Sequence, residues 1–302
     1  MSFICRSTIR RAILTAAFCC LLPATLWSEC PSERIARNVV CVFTRYTDPV
    51  EEVHLMVIDL SKKRAIVRTV PAGPDPDGDG KWQTVLMPTS KIAEREGFDI
   101  AVNGDFFAIP RGKDAEGEAA LTLFANGVPA LVTGPAMTDG KTWSSSEKPR
   151  QAVVVTRNGR IQMLDAATAP PDAVQVISGR DFLVVKGKAQ FTDSGVTYKP
   201  GEFRNVNPRT AVGINKKGDK LYLLVVDGRS DRSRGMTYGQ LAQEMVKAGA
   251  YTAINLDGGG SSTMVVRDSS TKMWKVLNQP SDKKERAVAN VLGITLSEKV
   301  KR

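Results

Sequence analysis

Histidine is almost absent from this chain: in 302 residues only His54 is found. It sits in the middle of an alternating apolar stretch, "EEVHLMVIDL", where a lone histidine is most simply structural. A lone structural histidine argues against a Ser-His-Asp triad and against zinc sites that need several histidine ligands. Aromatic residues are few, at 6%. The basic residues are scattered and no RNA- or DNA-binding motif appears, so nucleic acid is not an expected partner. The "GGGSS" run has no lysine, which argues against a phosphate-binding P-loop and NTPase chemistry. No apolar run is long enough for a stable membrane span; the longest, "AILTAAFCCLLPATLW", is short and interrupted.

That stretch follows Arg6, Arg10 and Arg11 and reads as a signal peptide over residues 1–28, cleaved near Ala24 or Ser28. The alternative is an N-terminal anchor that is kept. Export predicts a periplasmic or secreted protein that meets the membrane only through this segment before cleavage. Cys5, Cys19 and Cys20 would leave with it. Cys30 and Cys41 would remain, about ten residues apart in an oxidising compartment, and are expected to pair. The formal charge of +10 falls to +7 when the three signal arginines are removed, a surplus that favours anionic partners in general.

The remaining residues, 29–302, read as a single domain with its core over about 50–296. Many short apolar runs are separated by turn signals, such as Asn158-Gly159 inside "AVVVTRNGRIQML". Two helices are predicted. "MPTSKIAEREG" has Thr89 or Ser90 as cap and Gly97 as stop. "MTYGQLAQEMVKAG" carries a capping box at Thr237 and Gln240 and stops at Gly249. The fold class expected is α+β: a largely antiparallel or mixed sheet with a few flanking helices.

Chemistry without histidine must rest on carboxylates, hydroxyls, amides and arginines. Three apolar strands end abruptly in such residues: Asn103-Gly104-Asp105, Asp227-Gly228-Arg229, and Asn255-Leu256-Asp257 followed by Gly258, Gly259 and Gly260. A fourth polar cluster, Asn207-Pro208-Arg209-Thr210, opens a strand. These ends are expected to share a cleft. Asp75, Asp77 and Asp79 imitate the start of a calcium loop. Leu86 stands where an EF-hand needs glutamate, so at most a calcium site of another kind is expected there. No other metal or cofactor is called for.

In order along the chain, "NGDFF", "NPRTAVGINKKGDKLYLLVVDGR", "GMTYGQLAQEMVKAGAYTAINLDGGGSSTMVV" and "ERAVANVLGI" resemble the phosphodiester glycosidase family over roughly residues 50–296. The resemblance implies cleavage between a sugar anomeric carbon and a phosphate oxygen, with a phosphorylated glycan or sugar-1-phosphodiester as partner. A phosphate leaving group, with a second pKa of about 6, departs without a strong general acid. The glycine amides of Gly258 to Gly260 would form an anion nest. Arg209 or Arg229 would add a bidentate clamp. Asp227 and Asp257 are the candidate carboxylates at the oxocarbenium centre, with Asp105 as a third. Ser261, Ser262, Thr263, Asn103 and Asn290 would orient phosphate or sugar hydroxyls, and Gly104, Thr210 and Gly228 complete the expected substrate-facing set. A non-catalytic binder of anionic envelope polysaccharide is the alternative; the intact Asp227, Arg229, Asp257 and triple glycine favour the enzyme.

Overall fold

The computed structural model describes residues 27–29, 36, 38–61, 65–110, 123–192 and 206–297. Its main scaffold is a sandwich of two antiparallel sheets. The first sheet holds β1 (Trp27–Glu29), β2 (Val39–Thr47) and β3 (Val50–Asp59). The second sheet takes β4 (Ala65–Pro71) and β5 (Ile100–Asn103). Later in the chain come β6 (Arg150–Thr156), β7 (Ala173–Ser178), β8 (Arg180–Val185), β9 (Arg209–Ile214), β10 (Lys220–Val226), β11 (Thr252–Asn255), β12 (Met264–Arg267) and β13 (Asn290–Leu296). The first sheet runs β1-β2-β3-β10-β9-β11-β8 and ends on Lys188–Ala189. The second runs from Trp274–Val276 through β12, β5 and β13 to β4. A third antiparallel sheet contains β7 and β6.

Strand β10 shows why the order holds. Leu221, Leu223 and Val225 point into the core between the sheets, while Tyr222, Leu224 and Val226 point to the opposite face. Both faces are apolar because both are covered. On the outer face lies helix α2 (Tyr238–Ala248), which buries Leu241, Ala242 and Met245. Helix α1 (Thr89–Glu96) covers the second sheet with Ile92 and Ala93. The layers are therefore helix, sheet, sheet, helix.

The described residues are mostly antiparallel β-structure with two complete α-helices, so the α+β expectation fits only loosely. In α2 the predicted capping box is present in both directions, and Gly249 closes the helix at φ 98°. In α1 the cap differs from expectation. Pro88 is the N-cap and has no side-chain bond, because Thr89 is already in the helix; Gly97 ends it at φ 67°. The turn at Asn158-Gly159 also differs from a mirror-image two-residue turn, since only Gly159 has positive φ. Asn158 instead uses its side-chain oxygen to accept from the Arg160 N–H and the Thr156 hydroxyl.

Cys41 is buried in β2. Its expected partner Cys30 lies outside the described residues, as does most of the expected signal segment. The register of β1 on β2 ends with Glu29 opposite Val42, one position short of Cys41.

Candidate active site

The strand ends singled out above meet at one end of the sandwich. Antiparallel pairing puts Arg209, the first residue of β9, opposite Val226 at the end of β10, and Ala211 opposite Asn255 at the end of β11. Arg180 opens β8 opposite the same Asn255. In the second sheet, Asn103 at the end of β5 faces Val291 at the start of β13.

Asparagines bolt the two sheets together here. The Asn103 amide donates to the Asp257 carbonyl at 2.7 Å, and its side-chain oxygen accepts from the Thr210 hydroxyl at 2.8 Å and the Thr263 N–H at 3.1 Å. The Asp257 N–H donates to the Gly104 carbonyl at 2.9 Å. Asn290 forms a two-way pair with Asp105: its amide donates to Asp105 Oδ2 at 2.8 Å, and its oxygen accepts the Asp105 N–H at 2.7 Å. A Cβ at Gly104 would lie 2.3 Å from that Asn290 oxygen, so only glycine fits between them. Asn103, Thr210 and Asn290 thus spend their polar atoms on the scaffold, although the sequence suggested a substrate-facing role.

Two carboxyls result from this clamping. Asp257 is partly exposed, and its pKa is raised to about 6, chiefly by burial; the Ser261 hydroxyl, the Gly258 N–H, Arg286 and Arg180 pull it the other way. Asp105 is almost fully buried, and its pKa is pushed well above the carboxylate range, first by burial and further by the charge of Asp257, against bonds from Asn290 and the Ser178 backbone. The charge of Asp257 thus bears on Asp105. Asp227 Oδ1 accepts from the Asn278 amide at 3.1 Å and the Gln279 N–H at 2.9 Å, and its Oδ2 lies 3.1 Å from His54 Nε2. It lines a cavity of about 460 Å³ with Phe43, Glu52 and Arg232. Both Asp227 oxygens thus have partners within the protein, one of them the chain's single histidine.

The glycine run is also built differently from a nest. The Gly258 N–H donates to Asp257 Oδ1 at 2.9 Å, and the Gly259 N–H donates to the Pro208 carbonyl at 2.9 Å. Those amides are occupied within the protein. Glycine is needed instead for approach: Gly259 has φ 61°, and a Cβ on Gly258 would stand 2.9 Å from the Pro208 carbonyl oxygen. A Cβ on Gly228 would crowd the Pro208 nitrogen at 2.8 Å. The backbone bareness brings guanidinium groups to the loop. Arg229 Nη2 lies 3.1 Å from the Cβ position of Gly259 and donates to Asn207 Oδ1 at 3.0 Å. Arg286 lies against Gly260, pairs with Asp282 at 2.7 Å and covers the Phe124 ring at 4.2 Å.

Arg209 is buried, donates through Nε to the Met236 carbonyl at 2.9 Å and stacks 4.5 Å over Tyr238. Burial lowers its pKa, and nearby Arg229 lowers it further. Arg180 stacks 4.8 Å from the Phe106 ring centre. Sequence reasoning missed Arg180, Arg286 and Tyr238. Arg286 could have been noticed as the cation entering the strand that carries Asn290. The hydroxyls of Ser262 and Thr263 are buried without a hydrogen-bond partner among the described residues.

The calcium-like loop is self-contained. Asp75 Oδ1 accepts the N–H groups of Asp77 and Gly78, and Asp77 accepts from the Trp82 N–H; Asp79 is exposed. Among the described residues no cluster of three or more histidines, cysteines or acids is placed to hold a metal. No helix among them is long and apolar enough to cross a membrane.

A family model described as phosphodiester glycosidase matches residues 96–295. The chain belongs to that family. The N-acetylglucosamine-1-phosphodiester alpha-N-acetylglucosaminidase of Bos taurus is 29% identical over 202 residues, 64% of this chain and 36% of that protein. The Homo sapiens protein of the same name is 35% identical over 126 residues, 36% of this chain and 24% of its own length. The chain thus spans about a third or less of these relatives. Among solved structures, the zebrafish catalytic domain of that enzyme, auto-inhibited by its pro-peptide, superposes with a TM-score of 0.57 at 21% identity, covering 87% of this chain and 83% of that one. A protein of Burkholderia pseudomallei gives 0.54 at 17% identity, covering 81% and 74%. These two likenesses speak to the fold.

Proposed function

We propose that this family member is an exported hydrolase that cleaves the bond between a sugar anomeric carbon and a phosphodiester, releasing free sugar and a phosphomonoester. N-acetylglucosamine, named in the bovine and human relatives, is the first sugar to test. The observation that carries the reading is Asp257 set beside a glycine loop flanked by Arg229 and Arg286, with Arg180 close enough to act on its charge. A carboxylate there disfavours phosphate binding, so its value lies with the cationic sugar of the transition state.

In the proposed reaction the arginines hold the phosphate. Water attacks the anomeric carbon, and Asp257 takes its proton. The C–O bond breaks with its electron pair leaving on the phosphate oxygen. A base with a pKa of about 6 is ionised at neutral pH yet remains basic enough to accept that proton. Burial and the charge of Asp257 push the Asp105 carboxyl toward its neutral form, which limits negative charge at the site. The apolar N-terminal run after Arg6, Arg10 and Arg11 supports export.

Running the reaction in oxygen-18 water with a methyl diester of N-acetylglucosamine 1-phosphate tests this reading. Label is expected at the sugar anomeric carbon. Label in the phosphate would mean P–O cleavage and would end the glycosidase assignment.

A further inference from the structure

Two guanidinium groups reach the glycine loop at successive residues. Arg229 approaches Gly259, and a Cβ on Gly260 would collide with both the Arg286 guanidinium and Asp282 Oδ2. The Asp282–Arg286 pair therefore rests directly on the loop that continues from Asp257. Asp282 occupies one edge of the guanidinium: its Oδ2 accepts from Nε at 2.9 Å and lies 2.7 Å from Nη2. The Phe124 ring centre is 4.2 Å from Cζ, and Phe124 packs edge-on against Phe107 with ring centres 6.0 Å apart. Arg286 is thus held at three points, by Asp282, Phe124 and Gly260. A guanidinium carries five N–H donors. Beyond Asp282, Arg286 makes no hydrogen bond or ion pair among the described residues. The group is also accessible: the Arg286 side chain is 20% exposed and that of Asp282 27%, and both line a cavity of about 210 Å³.

Stability does not call for this carboxylate, because an ion pair in contact with solvent adds little to folding. Attraction does not call for it either, since a negative charge beside an anion site weakens that site. What it supplies is direction. The arginine stem is flexible, and a planar fork recognises an anion well only when its orientation is fixed beforehand. We infer that Asp282 is a positioning residue, which holds the Nε edge of Arg286 so that the remaining N–H groups are presented to the substrate phosphate at the glycine loop. That the anion is a sugar phosphodiester rests on the glycosidase reading above.

The test measures melting temperature, Kd for inorganic phosphate, and kcat and KM for the methyl diester of N-acetylglucosamine 1-phosphate. Asp282→Ala, Asp282→Glu, Arg286→Ala and the double variant Asp282→Ala with Arg286→Ala are compared in the full chain. Asp282→Ala is expected to bind phosphate about tenfold more weakly, although it removes a negative charge, and to lose about tenfold in kcat/KM. Its melting temperature should fall by no more than about 3 °C. Asp282→Glu, which still reaches the guanidinium, should recover most of the affinity. In the Arg286→Ala background, Asp282→Ala should weaken phosphate binding no further, because a positioning residue acts only through the group it positions. Phosphate binding that is unchanged or tighter in Asp282→Ala overturns the inference; the tighter result would make Asp282 a rival anion. An equal loss in both backgrounds also overturns it, by making Asp282 a structural charge. The phosphate measurements do not depend on turnover. A loss of phosphate affinity that requires Arg286, in a protein that leaves the diester intact, supports the inference and overturns the glycosidase reading. Turnover of the diester with no effect of Asp282→Ala does the opposite.

Discussion

At the scale of single residues, Asp257 and Asp227 separate two kinds of aspartate that look alike at a strand end. Asp257 is held against its own preference, since burial raises its pKa from 3.8 to about 6. A carboxyl with a raised folded pKa favours the fold most below its unfolded pKa, and that contribution is lost as pH rises through about 6. Asp257→Asn should therefore stabilise the protein at pH 7.5, by at most about 3 kcal/mol, with little effect at pH 4. It should lower kcat by orders of magnitude. Wild-type kcat/KM should climb from pH 5 to 7 as Asp257 ionises. Asp227→Asn should do the reverse, because a carboxylate with three donors around it is supporting structure. It is expected to cost about 3 kcal/mol in denaturant unfolding and to leave the pH profile in place. Sequence showed that both acids ended strands. It could not show that His54, 173 residues away, would occupy one of them.

At the scale of elements, legibility followed the range of the interactions. Helix α2 was readable because its capping box is four residues of local chemistry. Thr237→Ala removes the side chain that accepts from the Gln240 N–H and should cost about 1 kcal/mol by chemical denaturation. Helix α1 misled at its first residue, since Thr89 is buried and Pro88 takes the cap. The glycine loop was legible as a site and not as a device. Its spacing announced close approach, but the partner was expected to be phosphate. The structure puts Pro208, Arg229 and Arg286 there instead, from three other parts of the chain. Arg180 stayed hidden because nothing local distinguishes it; only the pairing of β8 with β11 brings it to Asp257.

For the whole molecule, alternating apolar strands and the few helices were visible in the sequence. The order of strands in each sheet was not, because antiparallel neighbours such as β3 and β10 lie far apart along the chain. The Cys30–Cys41 pairing is a further proposal at this scale. Intact mass of alkylated, non-reduced protein should show no alkyl groups on these two residues, and two added groups would reject the bridge. Under the proposed reaction, the arginines around the glycine loop have a kinetic consequence. They draw in a diester carrying one negative charge, yet must let go of a phosphomonoester carrying nearly two at neutral pH. The attraction that captures the substrate then holds the product harder, so turnover would be paced by release, slowed by added phosphomonoester and quickened by moderate salt.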